Sequence, residues 1–216
     1  MADGDEILIV GGGIAGLTAA LALGEAGFPA RVFERTAALR EVGAGVSLWP
    51  NAMRALRELG LDRRVRQGHV GLDRIVIRRL DGRVLLRLGN AGRHSDPAIC
   101  VHRAHLQRLL ASHLPPDRLH LGREVVDVAI GDRTAAVIFD NGTSVAGRLV
   151  LGCDGIHSVV RARLHGRARP RYRGYEIWRG VSEFELSDQL RPQSTEWWAP
   201  GLRFGLLPGE PGRVYW

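Results

Sequence analysis

The apolar positions at the start of the chain change period twice. Ile7-Leu8-Ile9-Val10 is a short β-branched run that predicts a buried strand. It stops at Gly11-Gly12-Gly13, after which Ile14, Leu17, Leu21 and Leu23 recur at helical spacing as far as Gly27. That pattern predicts a helix with a glycine stop. Arg31-Val32-Phe33-Glu34 reads as a second strand, so the segment is a βαβ unit and implies a parallel sheet. Residues 50–59 read as a helix, with Pro50 and Asn51 at its start and Gly60 after its end. Residues 74–80 and 83–88 alternate around Asp81-Gly82, the mark of a hairpin. Residues 103–113 read as a helix closed by Pro115-Pro116.

Further along, the period stays short. From Glu124 to Val150 the pattern is strand, Gly131-Asp132, strand, Asn141-Gly142, strand, with Val125, Val128, Val137, Phe139 and Val145 supplying the apolar positions. This predicts a β-meander. Leu149-Val150-Leu151 runs into Gly152-Cys153-Asp154-Gly155, ahead of a helix over residues 158–164. The arginine-rich stretch at 161–173 marks a junction, and beyond it Tyr172, Tyr175, Trp178, Phe184, Trp197, Trp198, Phe204, Tyr215 and Trp216 concentrate the aromatic residues. They read as strands of a second region. The expected class is α/β: a domain over residues 1–170 with a parallel sheet and a meander, then the start of a mostly-β region over 171–216.

Composition removes several chemistries. At 216 residues with 45% apolar and 25% charged positions, the chain has the makings of a globular core. Its aliphatic runs fall far short of the roughly 20 residues a membrane helix needs. All 30 basic residues are arginine, so a phosphate-binding Walker lysine, a Schiff-base lysine and a kinase strand lysine cannot be built. The formal charge of +7 reflects that arginine usage, and nucleic acid is not an expected partner. Cys100 and Cys153 lack the paired spacing of a zinc site or the density of a disulfide scaffold. The histidines, His102, His105 and His157 among them, have no second ligand at metal spacing, so no metal is expected. Met1-Ala2-Asp3-Gly4-Asp5-Glu6 lacks the basic start of a secretory signal, and the expected compartment is the cytoplasm.

Gly11-x-Gly13-x-x-Gly16 follows a strand and opens a helix. Glycine there permits the turn, lets a pyrophosphate approach the backbone and lets helix and strand pack closely. Ala20 and Gly27 fall on positions expected to face the sheet, and Glu34 ends the second strand 21 residues after Gly13, near the spacing of a ribose-binding acid. A carboxylate there accepts bonds from both ribose hydroxyls and repels a 2′-phosphate, which favours FAD or NAD over NADP. Arg35 either lies over the adenine or is solvated. The bland alternative is a glycine-rich turn with an incidental glutamate.

Four motifs in this order carry a resemblance: the opening fingerprint; Gly43-Ala44-Gly45-Val46-Ser47-Leu48-Trp49-Pro50-Asn51-Ala52; His102-Arg103-Ala104-His105-Leu106; and Gly152-Cys153-Asp154-Gly155-Ile156-His157-Ser158-Val159-Val160-Arg161. The chain resembles the single-component FAD-dependent aromatic monooxygenases, the salicylate and hydroxybenzoate hydroxylases and their relatives. Tyr172-Arg-Gly-Tyr175-Glu-Ile-Trp178-Arg-Gly180 is similar to the start of that family's substrate-domain sheet.

The resemblance implies a Rossmann-like FAD-binding domain with a partial substrate domain. It implies NADH or NADPH as a transient donor, dioxygen, and hydroxylation of a small aromatic substrate through a flavin C4a-hydroperoxide. The cofactor-binding set it implies is Gly11, Gly13, Ala15, Gly16, Glu34, Arg35, Gly45, Val46, Ser47, Arg103, Val125 and Asp154. The loop at Gly43 to Gly45 would meet the flavin ring, Arg103 the pyrophosphate and ribityl, and Val125 the adenine. No protein nucleophile is implied. Arg203 and Tyr215 are the substrate-side candidates, for an anionic ring substituent and a phenol. Full-length members of the family run to nearly twice this length and carry a later Gly-Asp segment that this sequence lacks, so a truncated, weakly FAD-binding or inactive form is the alternative. An NAD-dependent dehydrogenase is the runner-up enzyme. Neither the substrate nor the oligomeric state is legible.

Overall fold

A computed structural model describes residues 5–39, 44–89 and 97–216. In chain order the strands and helices begin with β1 (Ile7–Val10), α1 (Ile14–Glu25), β2 (Ala30–Glu34), β3 (Gly45–Leu48), α2 (Pro50–Glu58), α3 (Asp62–Arg66) and β4 (Gly71–Leu72). Next come β5 (Arg74–Arg79), β6 (Val84–Gly89), β7 (Ala98–His102), α4 (Arg103–Ala111), β8 (Leu119–Leu121), β9 (Val125–Ile130) and β10 (Ala135–Phe139). The chain continues through β11 (Ser144–Gly147), β12 (Leu149–Gly152), α5 (Val159–His165), β13 (Val181–Glu183), β14 (Gln193–Ala199), β15 (Leu202–Pro208) and β16 (Arg213–Tyr215). The protein is mixed α/β, as its periodicity predicts.

The chain divides into two compact units, Met1–Arg40 with Gln107–Tyr175, and Glu41–Leu106 with Glu176–Trp216. The expected division at 170/171 falls near the third crossing, whereas residues 41–106 group with the last segment rather than with the first domain. The reason is pairing: β5 joins β14 in parallel, Arg74 opposite Gln193, a ladder spanning more than half the sequence.

In the first unit a four-stranded parallel sheet runs in the order β12-β1-β2-β8. Ile7 lies opposite both Leu149 and Ala30. β1 is buried along its whole length, which a central parallel strand covered on both faces requires. One face packs Ile9, Val32 and Ala30 with Ala20 of α1. Leu8, Val10 and Phe33 pack on the other with Val125, Val137 and Phe139 of the three-stranded antiparallel meander β11-β10-β9. Asn141-Gly142 turns that meander, Gly142 taking φ +79°. Ala20 faces the sheet as expected. Gly27 does not: it follows the helix with φ +79° and nothing near it, so its role is to stop α1.

In the second unit the six-stranded sheet has the order β13-β16-β15-β14-β5-β6, and a three-stranded sheet has the order β3-β7-β4. The Asp81-Gly82 hairpin forms as predicted, with β5 and β6 antiparallel. Trp197, Trp198, Phe204 and Tyr215 lie on strands, whereas Tyr172, Tyr175 and Trp178 lie in exposed chain without regular structure. The strand expected there starts only at Val181. Among the described residues no helix is long and apolar enough to cross a membrane.

Candidate functional site

The first unit builds its site where β1 gives way to α1. Gly11 has φ +106°, and a Cβ on it would sit 2.5 Å from the Cys153 carbonyl oxygen. A Cβ on Gly16 would meet the Gly11 carbonyl oxygen at 2.0 Å. These two glycines are required by the chain's own packing. Gly13 is different. Its backbone is extended, and a Cβ there would find nothing within 4 Å, so space beside the turn stays open. The first bond of α1 runs from Leu17 N–H to Gly13 C=O at 3.0 Å. No side chain caps this end and no acid occupies its first turn. The N–H groups of Ile14, Ala15 and Gly16 therefore stand without helical partners, at the positive end of the helix dipole.

Glu34 faces this turn. Its Oε2 accepts the Gly12 N–H at 2.7 Å. Its Oε1 accepts both the N–H and the Oγ1–H of Thr36, each at 3.0 Å. The carboxylate is half-buried and held from both sides, and its remaining lone pairs can still accept hydroxyl donors. A Cβ on Gly12 would lie 2.8 Å from Glu34 Cβ, which explains the glycine between the two fingerprint positions. Arg35, next in sequence, is exposed. Gln107 Nε2 donates to the Gly12 carbonyl at 2.7 Å. Neither Thr36 nor Gln107 stands out in the sequence. The available signals were a hydroxyl two residues after the strand acid, and an amide four residues after Arg103.

Asp154 lies beyond the end of β12, on the other side of β1. Its Oδ2 accepts the Val159 N–H at 2.7 Å and the Val160 N–H at 3.3 Å. Ser158 Oγ accepts the Arg161 N–H at 2.9 Å. Together they cap α5. Asp154 Oδ1 is buried without a hydrogen-bond partner among the described residues. Beside it, burial and the Asp154 charge push the Cys153 thiol up, which keeps it protonated and unreactive. Val125 turns its side chain into the core, and β9 is an edge strand of its sheet, leaving main-chain groups on one side available.

The second unit gathers the other predicted residues by pairing β3 with β7. Gly45 lies opposite His102 and Ser47 opposite Cys100, and the Arg103 N–H donates to the Ala44 carbonyl at 3.1 Å. The stretch expected as a loop is a strand from Gly45 onward; Gly43 lies outside the described residues. Val46 takes its place on that strand opposite Val101. The room that glycine leaves at 45 is filled: a Cβ would lie 2.5 Å from the Tyr215 ring and 2.7 Å from Cys100 Sγ. Arg103 is exposed and forms no ion pair among the described residues.

Tyr215 is 2% exposed, and its hydroxyl donates to Glu210 Oε2 at 2.6 Å. Glu210 Oε1 also takes His69 Nε2 at 3.3 Å. Burial and the Glu210 bond push the Tyr215 phenol well above its ordinary range. Burial alone would raise Glu210, but the Tyr215 hydroxyl and His69 outweigh it and hold this carboxyl low. Burial, with Glu210 nearby, pushes the Cys100 thiol up to about 12. Tyr215, a candidate for a substrate phenol, is thus committed to an internal network. Arg203 is exposed and stacks its guanidinium 5.8 Å from the Trp198 ring centroid, directly across the β14–β15 ladder.

Residues 5–182 match the family described as FAD binding domain. Over 220 residues the chain is 38% identical to the aurachin C monooxygenase/isomerase of Stigmatella aurantiaca, covering 100% of this chain and 57% of that protein. It is 34% identical to 3-hydroxybenzoate 6-hydroxylase 1 of Aquipseudomonas alcaligenes, covering 98% and 56%. The crystal structure of Klebsiella pneumoniae HpxO complexed with FAD and uric acid superposes with a TM-score of 0.83 at 30% identity, over 99% of this chain and 56% of that one. The chain thus spans a little over half the length of the relatives it matches.

Proposed function

The chain belongs to the FAD binding domain family, and from that premise we propose that it holds FAD for the hydroxylation of a small aromatic compound with NADH or NADPH and dioxygen. The residues present fit the adenosine and pyrophosphate end of the cofactor. Open space over Gly13, three helical N–H groups without partners and a carboxylate fixed beside them form a cradle for phosphates and a ribose. The single observation that carries the reading is the Glu34 carboxylate bound to the Gly12 N–H. It places an anion that accepts hydroxyls, and repels a 2′-phosphate, at the mouth of the turn.

In this reading Gly11 and Gly16 shape the turn, Gly13 and Ala15 admit the pyrophosphate, and Glu34 accepts the ribose hydroxyls. Arg35 and the main chain at Val125 serve the adenine. Gly45, Val46, Ser47 and Arg103, the remaining residues that the resemblance implies, are assigned to the cofactor as main-chain groups and a cation. Asp154 caps α5, and its unpartnered Oδ1 is the atom left to accept a further donor. Bound FAD would accept a hydride from the nicotinamide donor and activate dioxygen. No side chain of this chain is assigned as a nucleophile. The names of the relatives, a 3-hydroxybenzoate 6-hydroxylase and a 3-amino-4-hydroxybenzoate 2-monooxygenase among them, support a small aromatic substrate.

The test is purification with FAD, followed by NADH or NADPH oxidation in the presence of hydroxybenzoates, aminohydroxybenzoates and urate, with isotopically labelled dioxygen. Substrate-dependent donor oxidation with one labelled oxygen in the product is expected. Protein that takes up no FAD and instead exchanges a hydride between NAD and a hydroxyl substrate, with no label incorporated, would establish an NAD-dependent dehydrogenase.

A further inference from the structure

Gly12 is gripped at both of its peptide groups. Its N–H is taken by Glu34 Oε2 at 2.7 Å, and its carbonyl receives Gln107 Nε2 at 2.7 Å. The first grip serves the binding of FAD proposed above; the second has no part in it. All four residues concerned, Gly12, Gly13, Glu34 and Gln107, lie in the first unit.

The peptide that joins Gly12 to Gly13 links two residues without side chains, and the space over Gly13 is open. Glycine tolerates both signs of φ almost equally, so this peptide plane can rotate end for end at little steric cost. Its two orientations are opposite in charge. In a trans peptide the C=O and the following N–H point in opposite directions, and the described residues contain no cis bond. With the Gly12 carbonyl held toward Gln107, the Gly13 N–H points away from it. Rotated, the same peptide would turn its carbonyl oxygen to where the N–H had been. A partial negative charge would then replace a donor beside the start of α1, where an anion is to bind.

We propose that Gln107 is a positioning residue that locks the Gly12–Gly13 peptide in its N–H-outward orientation and so sets the affinity of the turn for the pyrophosphate of FAD. The inference rests on the FAD reading. A side-chain amide suits this role because its nitrogen donates to the carbonyl at 2.7 Å, and a donor held there favours the orientation in which the Gly12 carbonyl, not the Gly13 N–H, faces α4. It is also neutral, and adds no charge that would compete with Glu34. Its reach from α4 fixes the turn from outside the loop, where no residue of the fingerprint itself could.

The test uses the whole 216-residue chain. Gln107→Met keeps the shape and removes the donor. Gln107→Glu puts a carboxylate against the carbonyl, and Gln107→Lys restores a donor. FAD affinity is read by flavin fluorescence titration, the midpoint of thermal unfolding is read without FAD, and the Gly12 and Gly13 amide signals are read by nitrogen-proton NMR. Gln107→Met should weaken FAD binding about tenfold, the worth of one neutral hydrogen bond at the upper end of its range. Gln107→Glu should weaken it more, and Gln107→Lys should return most of the affinity. The Gly13 amide signal should move or broaden in the first two variants and not in the third, with little change in the unfolding midpoint.

The proposal is overturned if Gln107→Met and Gln107→Glu bind FAD as the unaltered chain does. It is equally overturned if the affinity lost is matched by a lost unfolding midpoint that lysine fails to restore, which marks a purely structural contact. Should the unaltered chain bind no FAD, the reading beneath the proposal falls, and the proposal with it.

Discussion

β1 is flanked by β2 and β12, and each of these neighbours leads into a carboxylate, Glu34 at the end of β2 and Asp154 just past β12. The same chemical group at equivalent heights of one sheet is used in different ways. Glu34 spends its bonds on the turn of a different segment, Gly12, and on its own neighbour Thr36. Asp154 spends its bonds on the helix it introduces, at Val159 and Val160. The difference follows from what comes next in the chain. After Glu34 the backbone runs on as Thr36 and Ala37 without entering a helix, leaving the carboxylate to look across to β1. After Asp154 a helix begins within five residues, and its bare N–H groups claim the carboxylate first. A strand-end acid in a parallel sheet is free for a ligand only where no helix start competes for it.

The comparison can be broken most severely at the glycine that lets α1 pack against the turn. Gly16→Ala would force a methyl group to within 2.0 Å of the Gly11 carbonyl. It should cost about 3 kcal/mol of stability, the upper end of overpacking, and abolish FAD binding; thermal melts and flavin titration read both. Next in size, Glu34→Ala should weaken FAD about 100-fold through the loss of charged hydrogen bonds to hydroxyls and to Gly12, with only a small change in melting temperature. Asp154→Ala should do the reverse. It should lower stability by about 1 kcal/mol through the lost cap, while changing FAD affinity less than the Glu34 variant does. An Asp154 variant that loses FAD as strongly as the Glu34 variant would erase the distinction.

The smallest effect concerns protons. His120 on β8 stacks on Phe33 with ring centroids 5.2 Å apart. Burial and the charges of Arg31 and Arg123 depress its titration below the ordinary 6.5, against weaker opposition from Asp117 and Glu6. The fold therefore favours the neutral ring. The stability this contributes is present in full above pH 6.5 and is lost as the pH falls through and below it. His120→Gln should flatten that decline in a pH series of melts, and Asp154→Ala should leave it in place.

How much of this was legible in the sequence depends on distance along the chain. The βαβ unit, the meander and the Asp81-Gly82 hairpin are local: strand, turn and helix signals lie within a few residues of one another, and each appears in the structure. The fingerprint and Glu34 are separated by one helix, and they meet as their spacing implied. What pairs β1 with β12, or β5 with β14, is a register chosen from many across more than a hundred residues, and no periodicity encodes it. The same limit hid Gln107, an ordinary amide on a helix face until folding brings it to Gly12. It also hid the packing of the Tyr215 ring into the space left by Gly45, 170 positions earlier in the chain.

The most direct test of the central claim is the dissociation constant for FAD of the unaltered chain beside that of Glu34→Ala, both by flavin fluorescence quenching at matched ionic strength. FAD should bind the first and be released about 100-fold more readily by the second, with both proteins equally folded by circular dichroism. Equal affinities for the two, or no binding by either, would contradict the assignment of the turn and its acid to the adenosine end of FAD.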